Sequence, residues 1–295
     1  MKIYDCFIYF DEELLLDIRF NILDKFVDKF VIVESKYSHR GEEREPNFDI
    51  QKFEKFKDKI IYILLDRNPT NLFKINEKDP KINEKIIING NLREFYQRNS
   101  ILNGLDGTSD SDLIIISDVD EIPNLENVHF DNVKDNPYLF DQIFCCYKLN
   151  LFSDMRWCGS RMIKKKNLLS PQWLRDIKDR NYSKWRFDTF FSKKKYSNIK
   201  FIEEGGWHFS YLKNSSGVEK KLKSIRHHIE YDQNPLGVEK IDEMIKNKRL
   251  IYDYSADQRT KNKFENNEIL KTLDTNKLPK YIQSNQNLFN DWLEK

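Results

Sequence analysis

Residues 113–123 decide the fold of this chain, and they read LIIISDVDEIP. Four consecutive apolar residues at 113–116 are typical of a short, fully buried strand, and the acidic residues that follow end it abruptly. Pro123 then stops the turn. The stretch therefore predicts a buried strand that carries Asp118 and Asp120 at its carboxyl end.

The residues before this strand alternate between strand and helix patterns. In chain order they predict a strand at 3–10, a helix at 11–26, strands at 30–33 and 60–65, and a long helix at 84–105. Asp11 is the predicted N-cap of the first helix. A strand–helix–strand beginning favours parallel pairing, so we expect an α/β fold with a Rossmann-like, mostly parallel central sheet and helices on both faces.

The pattern changes after Pro137. Strands are predicted at 138–152, 161–164 and 200–211, a helix at 171–178 opened by Ser170-Pro171, and amphipathic helices at 217–229 and 238–248. Two successive helices near the end of the chain predict a helical appendage to the α/β domain.

Composition excludes several classes of protein. The 295 residues carry 50 Lys and Arg against 48 Asp and Glu, so the net charge of +2 gives no general reason to bind nucleic acid. No apolar run approaches the roughly 20 residues of a transmembrane helix, and charge near Met1 argues against a signal peptide. The four cysteines form no CxxC pair. We therefore expect a cytoplasmic protein with reduced thiols.

The acidic turn is the strongest candidate for chemistry. In an open parallel sheet, ligands gather outside the carboxyl ends of the strands. Asp118 and Asp120, with Glu121 beside them, could hold a divalent cation such as Mn²⁺ or Mg²⁺ through oxygen ligands. The alternative is a simple strand-to-turn transition in which the acids cap backbone amides.

A second candidate lies at residues 205–210, which read GGWHFS. The glycine pair permits close backbone approach. In the strand that follows, Trp207 and Phe209 share one face and His208 faces the other way. His208 could therefore reach a metal, or could be a hydrogen-bonded strand histidine. The pair His227-His228 lacks an HExxH pattern and predicts a solvated helix face.

The long helix supplies a third candidate at residues 93–99, which read REFYQRN. An arginine here could meet a phosphate or a nucleotide base. The alternative for Arg98 is a surface ion pair with Glu94, four residues away on the same helix. The chain contains no GxGxxG, GxxxxGK[ST] or GxSxG motif, which disfavours dinucleotide oxidoreductases, P-loop NTPases and α/β-hydrolases.

Taken together and in order, these stretches resemble glycosyltransferase family 17. The resemblance covers residues 3–211 and is carried by Tyr4 to Phe10 with Glu12-Glu13, Phe30 to Glu34, Arg93 to Leu105, Ile115 to Pro123, and Gly206 to Ser210. The segment 124–200 departs from the family pattern.

The resemblance implies a GT-A fold, a UDP-sugar donor, a glycan acceptor and an inverting transfer. It implies a domain at 1–212, with a nucleotide-binding half at 1–123 and an acceptor half at 124–212, to which 213–295 add a helical extension. By the same analogy Asp118 lies near the donor ribose and the metal, and Asp120 and His208 are metal ligands. Glu34 would meet the uridine, and Arg98 and Asn99 would support the nucleotide or its diphosphate.

The catalytic base stays open between two carboxylates. An inverting base must lie opposite the leaving group, so Asp120 is unsuitable, whereas Asp176 and Glu204 are both candidates. Two other classes of function also stay open. The chain could be a non-catalytic carbohydrate-binding or scaffold protein with the same fold, or a metal-dependent nucleotidyltransferase or phosphohydrolase, which also uses paired acids.

Overall fold

The computed structural model describes residues 1–183, 185–225, 228–254, 263–264 and 268–295. Within these residues the chain forms twelve strands. They are β1 (Ile3–Tyr9), β2 (Lys29–Ser35), β3 (Ile60–Leu65), β4 (Leu113–Asp118), β5 (Glu121–Pro123), β6 (Tyr138–Phe140), β7 (Gln142–Cys146), β8 (Leu151–Trp157), β9 (Arg161–Lys164), β10 (Lys200–Ile202), β11 (Gly206–Ser210) and β12 (Lys271–Thr272).

The described residues also form eight α-helices and several short 3₁₀ segments. The α-helices are α1 (Glu13–Leu23), α2 (Ile82–Asn99), α3 (Pro171–Asp176), α4 (Phe187–Phe191), α5 (Ser215–Ser224), α6 (His228–Gln233), α7 (Val238–Lys246) and α8 (Lys280–Ser284). The predicted α/β class is confirmed.

The first sheet contains seven strands in the order β10-β6-β9-β4-β1-β2-β3. The neighbours β4, β1, β2 and β3 are parallel, whereas β9 runs antiparallel between β4 and β6. Ile8 of β1 lies beside Asp118, and Tyr9 lies beside Glu34. The carboxyl ends of β1, β2 and β4 therefore share one edge, although the sheet as a whole is mixed.

The second sheet contains five strands in the order β12-β8-β7-β11-β5. Strand β5 follows directly on the acidic turn after β4, and β11 pairs antiparallel with it. This pairing sets His208 opposite Glu121. Gly206 allows it, because a Cβ there would lie 2.1 Å from the carbonyl oxygen of Ile122. The predicted close backbone approach at the glycine pair is confirmed.

The C-terminal residues contribute a strand to the second sheet and side chains to two buried clusters. Strand β12 joins the second sheet, and Leu273, Leu278, Ile282 and Phe289 are buried in the same cluster as residues of β1 and α1. A separate cluster packs α5 and α7 against β7. Residues 213–295 are thus structurally tied to the part of the chain that carries the acidic turn.

Several predicted element boundaries were wrong. Helix α1 begins at Glu13, and its N-cap is Glu12, not Asp11. The strand predicted at 138–152 is three strands, with Tyr147 at a positive φ of 65° where the chain turns. The Ser170-Pro171 helix start is confirmed, because the Ser170 side chain accepts a hydrogen bond from the Trp173 amide. His228 is buried, which contradicts the solvated helix face, and His227 lies outside the described residues.

Candidate functional site

A cavity of about 170 Å³ opens at the shared carboxyl edge of β1, β2 and β4. Its walls come from the ends of these strands, the loop after β2, the turn after β4, and α5. The lining residues include Tyr9, Phe10, Glu12, Tyr37, His39, Arg44, Gln97, Asp118, Asp120, Lys221 and Ser224. Two of the predicted site residues, Asp118 and Asp120, therefore border one cavity at the edge where the sequence placed a ligand.

Asp118 ends β4 between two arginines. Its Oδ1 accepts from Arg98 Nη2 at 2.8 Å, and its Oδ2 accepts from Arg175 Nη2 at 3.0 Å. Burial opposes ionisation, but the guanidinium charges of Arg175 and Arg98 hold the pKa of the Asp118 carboxyl well below its usual range. Both carboxylate oxygens therefore already accept a charge-assisted hydrogen bond from the protein.

Glu121 anchors the other side of the turn. It is fully buried, and its carboxylate accepts from the Asp118 amide at 2.8 Å, from Trp157 Nε1 at 3.0 Å and from Arg175 Nη1 at 2.7 Å. A Cβ at Gly159 would lie 2.3 Å from Glu121 Cδ, so only glycine leaves room for this arrangement. Glu121 and Arg175 together fix the backbone on which Asp118 sits.

Asp120 contacts two different partners through its two oxygens. Oδ2 accepts from Lys221 Nζ at 3.0 Å, and Oδ1 lies 3.6 Å from His208 Nε2. Burial opposes ionisation, but the charge of Lys221 and the contact with His208 hold the pKa of Asp120 well below its usual range. Asp120 is therefore a carboxylate at every physiological pH.

Lys221 reaches Asp120 from α5. Its Nζ also lies 3.6 Å from Glu12 Oε1, and its side chain is 18% exposed. Burial would lower the pKa of the ammonium, but the carboxylates of Asp120 and Glu12 raise it above the ordinary value. A full positive charge therefore stands beside Asp120, contributed by a part of the chain for which the sequence predicted no role.

The imidazole of His208 packs against two aromatic side chains. It stacks on Trp157 with centroids 4.4 Å apart and meets the edge of Phe144 at 5.0 Å. Trp207 and Phe209 are buried on the opposite face in the main core, which confirms the predicted alternation. His208 Nδ1 is buried without a hydrogen-bond partner within the described part of the chain.

Asp120 and His208 are the side chains of this site that could bind a divalent cation. The 3.6 Å between Asp120 Oδ1 and His208 Nε2 is too long for a hydrogen bond, and these two atoms fit a pair of metal ligands. Each Asp118 oxygen already accepts a hydrogen bond from an arginine, so Asp118 is not counted as a metal ligand, although each oxygen keeps a second lone pair for a hydroxyl donor. Among the described residues, no group of three His, Cys, Asp or Glu side chains is placed to hold a metal. A cation here would have two protein ligands.

Glu34 is fully buried and acts on the loop that follows β2. Its carboxylate accepts from Arg44 Nη2 at 2.7 Å, from the amides of Asn47 and Phe48, and from the Tyr62 hydroxyl at 2.9 Å. Glu34 therefore holds the loop whose residues Tyr37 and His39 line the cavity, and does not line the cavity itself.

The three predicted residues of the long helix occupy different environments. Arg93 donates to Asn68 Oδ1 at 2.8 Å and to the carbonyls of the 39–40 loop. Arg98 is buried; the ion pair with Glu94 forms at 2.8 Å, and the same guanidinium also reaches Asp118. Asn99 Oδ1 accepts from the Gln172 amide at 3.0 Å. Arg98 joins the turn, Asn99 connects α2 to α3, and Arg93 holds a loop.

The two candidate bases lie in different places. Asp176 accepts from Gln172 Nε2 at 2.8 Å, and Gln172 Oε1 accepts from Arg98, so Asp176 is linked to the Asp118 network. Lys194 Nζ also pairs with Asp176 at 2.5 Å. Glu204 is exposed and lines a larger cavity of about 1170 Å³ with Asp141 and Trp207. The structure does not bring Glu204 together with Asp118 and Asp120.

Sequence reasoning missed three residues of the site. Arg175 and Lys221 pair with the acidic turn, and Arg19 donates from beneath it to the carbonyls of Asp118, Val119 and Glu121. Arg19 could have been found, because a charged residue interrupts the apolar side of a predicted helix and an acid, Asp5, interrupts an apolar strand. Arg175 and Lys221 gave no comparable signal.

Residues 1–147 of this chain match the model of glycosyltransferase family 17. The family resemblance predicted from the sequence motifs is therefore confirmed. Similar curated proteins are the β-1,4-mannosyl-glycoprotein 4-β-N-acetylglucosaminyltransferases of Homo sapiens and Rattus norvegicus. Each is 32% identical over 120 residues, covering 39% of this chain and 21% and 20% of the relatives. The match thus spans about a fifth of the relatives' length.

Among solved structures, the crystal structure of HddC from Yersinia pseudotuberculosis matches with a TM-score of 0.32 at 9% identity. It covers 69% of this chain and 90% of that one, and a score this low supports no conclusion about fold or function. No helix in the described part of the chain is long and apolar enough to cross a membrane.

Proposed function

We propose that this chain is a metal-dependent inverting glycosyltransferase that transfers N-acetylglucosamine from a UDP-sugar to a glycan acceptor. The observation that carries the proposal is the placement of Asp118 and Asp120 at a cavity on the carboxyl edge of parallel strands, with His208 against Asp120. The family match of residues 1–147 supports the reaction class, and the names of the similar proteins support the sugar.

The fold belongs to this proposal as a GT-A-type domain at residues 1–212 with an extension at 213–295. The parallel order β4-β1-β2-β3 supports it, because a nucleotide binds where such strands end. The nucleotide would enter the cavity of about 170 Å³, between Tyr37 and His39 on one side and the acidic turn on the other. Glu34 is then a positioning residue that acts through the loop it holds.

Asp120 Oδ1 and His208 Nε2 would hold the cation, which we take to be Mn²⁺ or Mg²⁺. When bound, this cation supplies positive charge to the departing diphosphate. Asp118 contributes differently: Arg98 and Arg175 fix its carboxylate at the cavity edge, where it is placed to accept from the ribose hydroxyls. The stacked rings around His208 keep its imidazole in one orientation.

Inverting transfer requires a base on the acceptor side to remove the proton of the attacking hydroxyl. Asp176 is the candidate that the geometry favours, because the hydrogen bonds through Gln172 and Arg98 connect it to Asp118. Glu204 lines the other cavity and is the weaker candidate. We further propose a cytoplasmic location, which the four unpaired cysteines support.

Product analysis with several nucleotide sugars tests the proposal. We expect UDP release and a glycosylated oligosaccharide of inverted anomeric configuration, identified by mass spectrometry and NMR. The variant Asp120→Asn should lose roughly a hundredfold in rate, whereas Asp131→Asn, at an exposed site, should not. Pyrophosphate release would instead identify a nucleotidyltransferase, phosphate release a phosphohydrolase, and binding of glycans without turnover a carbohydrate-binding protein.

A further inference from the structure

We propose that Lys221 is a diphosphate-binding residue, through which the C-terminal segment completes the donor site. This inference rests on the proposed function. Lys221 lies in α5, beyond the residues that match the family model, and lines the cavity together with Asp118 and Asp120. A diphosphate approaching this edge meets the carboxylates of Asp118, Asp120 and Glu12, so its binding requires cationic groups at the same place.

The other cations near the turn are committed to protein partners. Arg98 and Arg175 both pair with Asp118, and neither lines the cavity. Arg44 lines the cavity, but its guanidinium donates to Glu34 and to the carbonyls of Ser35 and Phe10. The remaining lysine or arginine among the described lining residues is Lys221.

Lys221 has donor capacity left for a ligand. Its ammonium carries three N–H donors, and the contact with Asp120 Oδ2 at 3.0 Å uses one of them. The 3.6 Å to Glu12 Oε1 is a charge contact too long for a hydrogen bond. An ammonium on a flexible stem also suits a phosphate oxygen, whose position varies between bound nucleotides.

The position of Lys221 is compatible with the proposed metal site. Lys221 contacts Oδ2 of Asp120, whereas His208 faces Oδ1, so the lysine does not occupy the side of the carboxylate that faces the histidine. The Asp120 carboxylate could thus contact the Lys221 ammonium through Oδ2 and the proposed cation through Oδ1. Val218 and Leu222 of the same helix are fully buried in the cluster that packs α5 against the second sheet. This packing fixes the position of Lys221 relative to the cavity.

The test is a calorimetric titration of the full chain in EDTA with uridine, UDP and inorganic diphosphate. Lys221→Met should weaken UDP and inorganic diphosphate by about tenfold or more and leave uridine unchanged, because a charge-assisted contact to phosphate is lost. The matched control is Lys223→Met, on the same helix, whose side chain is 49% exposed and pairs with Glu219 outside the cavity. It should change none of the three affinities.

A second pair of variants is needed, because Lys221→Met leaves the buried Asp120 carboxylate without its ammonium partner and could unfold the protein. Asp120→Asn and the double variant Asp120→Asn/Lys221→Met carry no unpaired carboxylate at this position. The double variant should bind inorganic diphosphate about tenfold more weakly than Asp120→Asn. Equal affinities within both comparisons would overturn the role of Lys221.

The outcomes separate this inference from the proposed function. If the wild type binds UDP and transfers sugar, and Lys221→Met binds UDP equally well, the proposed role of Lys221 is wrong and the proposed function stands. A wild type that binds inorganic diphosphate through Lys221 but no uridine nucleotide would reject the UDP-sugar donor and keep the lysine. A wild type that binds neither ligand counts against both.

Discussion

Asp5 and Arg19 form a fully buried ion pair directly beneath the acidic turn. The contact is bidentate, with Arg19 Nε 2.7 Å from Asp5 Oδ2 and Nη2 2.6 Å from Oδ1. The remaining Nη1 donates to the carbonyls of Asp118, Val119 and Glu121. Strand β1 and helix α1 thus hold the backbone of the turn that carries Asp120. Arg19 and the turn carbonyls are about a hundred residues apart along the chain.

Replacing Arg19 by Met should destabilise the fold by about 3–5 kcal/mol, because Asp5 and the turn carbonyls lose their buried partner. Urea unfolding monitored by circular dichroism measures this. Asp5→Leu/Arg19→Met should recover part of the loss, since no buried charge remains unpaired. Lys25→Met removes an exposed ion pair with Glu126 and should change little. An Arg19→Met protein as stable as the wild type would show that the pair does not support the turn.

Gly159→Ala should disturb the Glu121–Arg175 contact without altering any charged residue. The new methyl group would sit 2.3 Å from Glu121 Cδ and 2.6 Å from Trp157 Nε1, so the carboxylate must move. We expect a loss of about 1–3 kcal/mol in stability, the usual cost of overpacking, together with weaker UDP binding. Thermal unfolding with and without UDP measures both, and an unchanged melting temperature would contradict the crowded geometry.

Mn²⁺ together with UDP should raise the melting temperature more than UDP alone, because a ligand bound only by the folded state stabilises it. Asp120→Asn and His208→Ala should each remove most of the Mn²⁺ increment. His208→Ala should stay folded, since Trp207 and Phe209 still fill the opposite face of β11. The control is His129→Ala at an exposed position. A full Mn²⁺ increment in both site variants would exclude Asp120 and His208 as ligands.

Cysteine reactivity should be low and should depend on pH in a specific way. Cys6, Cys145 and Cys146 are buried, whereas Cys158 is partly exposed. Burial raises the pKa of Cys158 to about 11, so little thiolate exists near neutral pH. Iodoacetamide should label one thiol of the native protein, and its rate should rise about tenfold per pH unit up to that pKa.

Cys158→Ser should abolish this labelling of the native protein. Titration of the denatured, unreduced wild type should detect four free thiols. Two stable disulfides would contradict the free cysteines and would argue for an oxidising compartment. A labelling rate that levels off near pH 9 would contradict the burial of Cys158.

The parts of the site that were predictable from the sequence share one property: each is encoded locally. The apolar run before Asp118 defines a strand and its end, and the alternation around His208 assigns faces. Asp120 and His208 could therefore be proposed as partners. The pairing of Asp120 with Lys221 joins residues 101 positions apart. It depends on how α5 packs against the second sheet, which hydrophobic periodicity does not specify.

The predicted roles of Glu34 and Arg93 illustrate the same limit. Both residues sit where the sequence placed them, at the end of β2 and on α2. Their side chains, however, form hydrogen bonds with loop residues, and hydrophobic periodicity does not specify the conformation of a loop. Glu34 accepts hydrogen bonds from Arg44 and from neighbouring amides, and Arg93 donates to residues 39, 40 and 68.

The contribution of the last residues to the main core bears on how the protein is made. Leu273, Leu278, Ile282 and Phe289 pack in one cluster with Phe7 of β1 and Leu16 of α1, and the Leu273 amide donates to the Asn150 carbonyl. A ribosome delivers the first strands long before these side chains emerge. The N-terminal strands therefore keep part of their apolar surface uncovered until residues 273–289 have been synthesised.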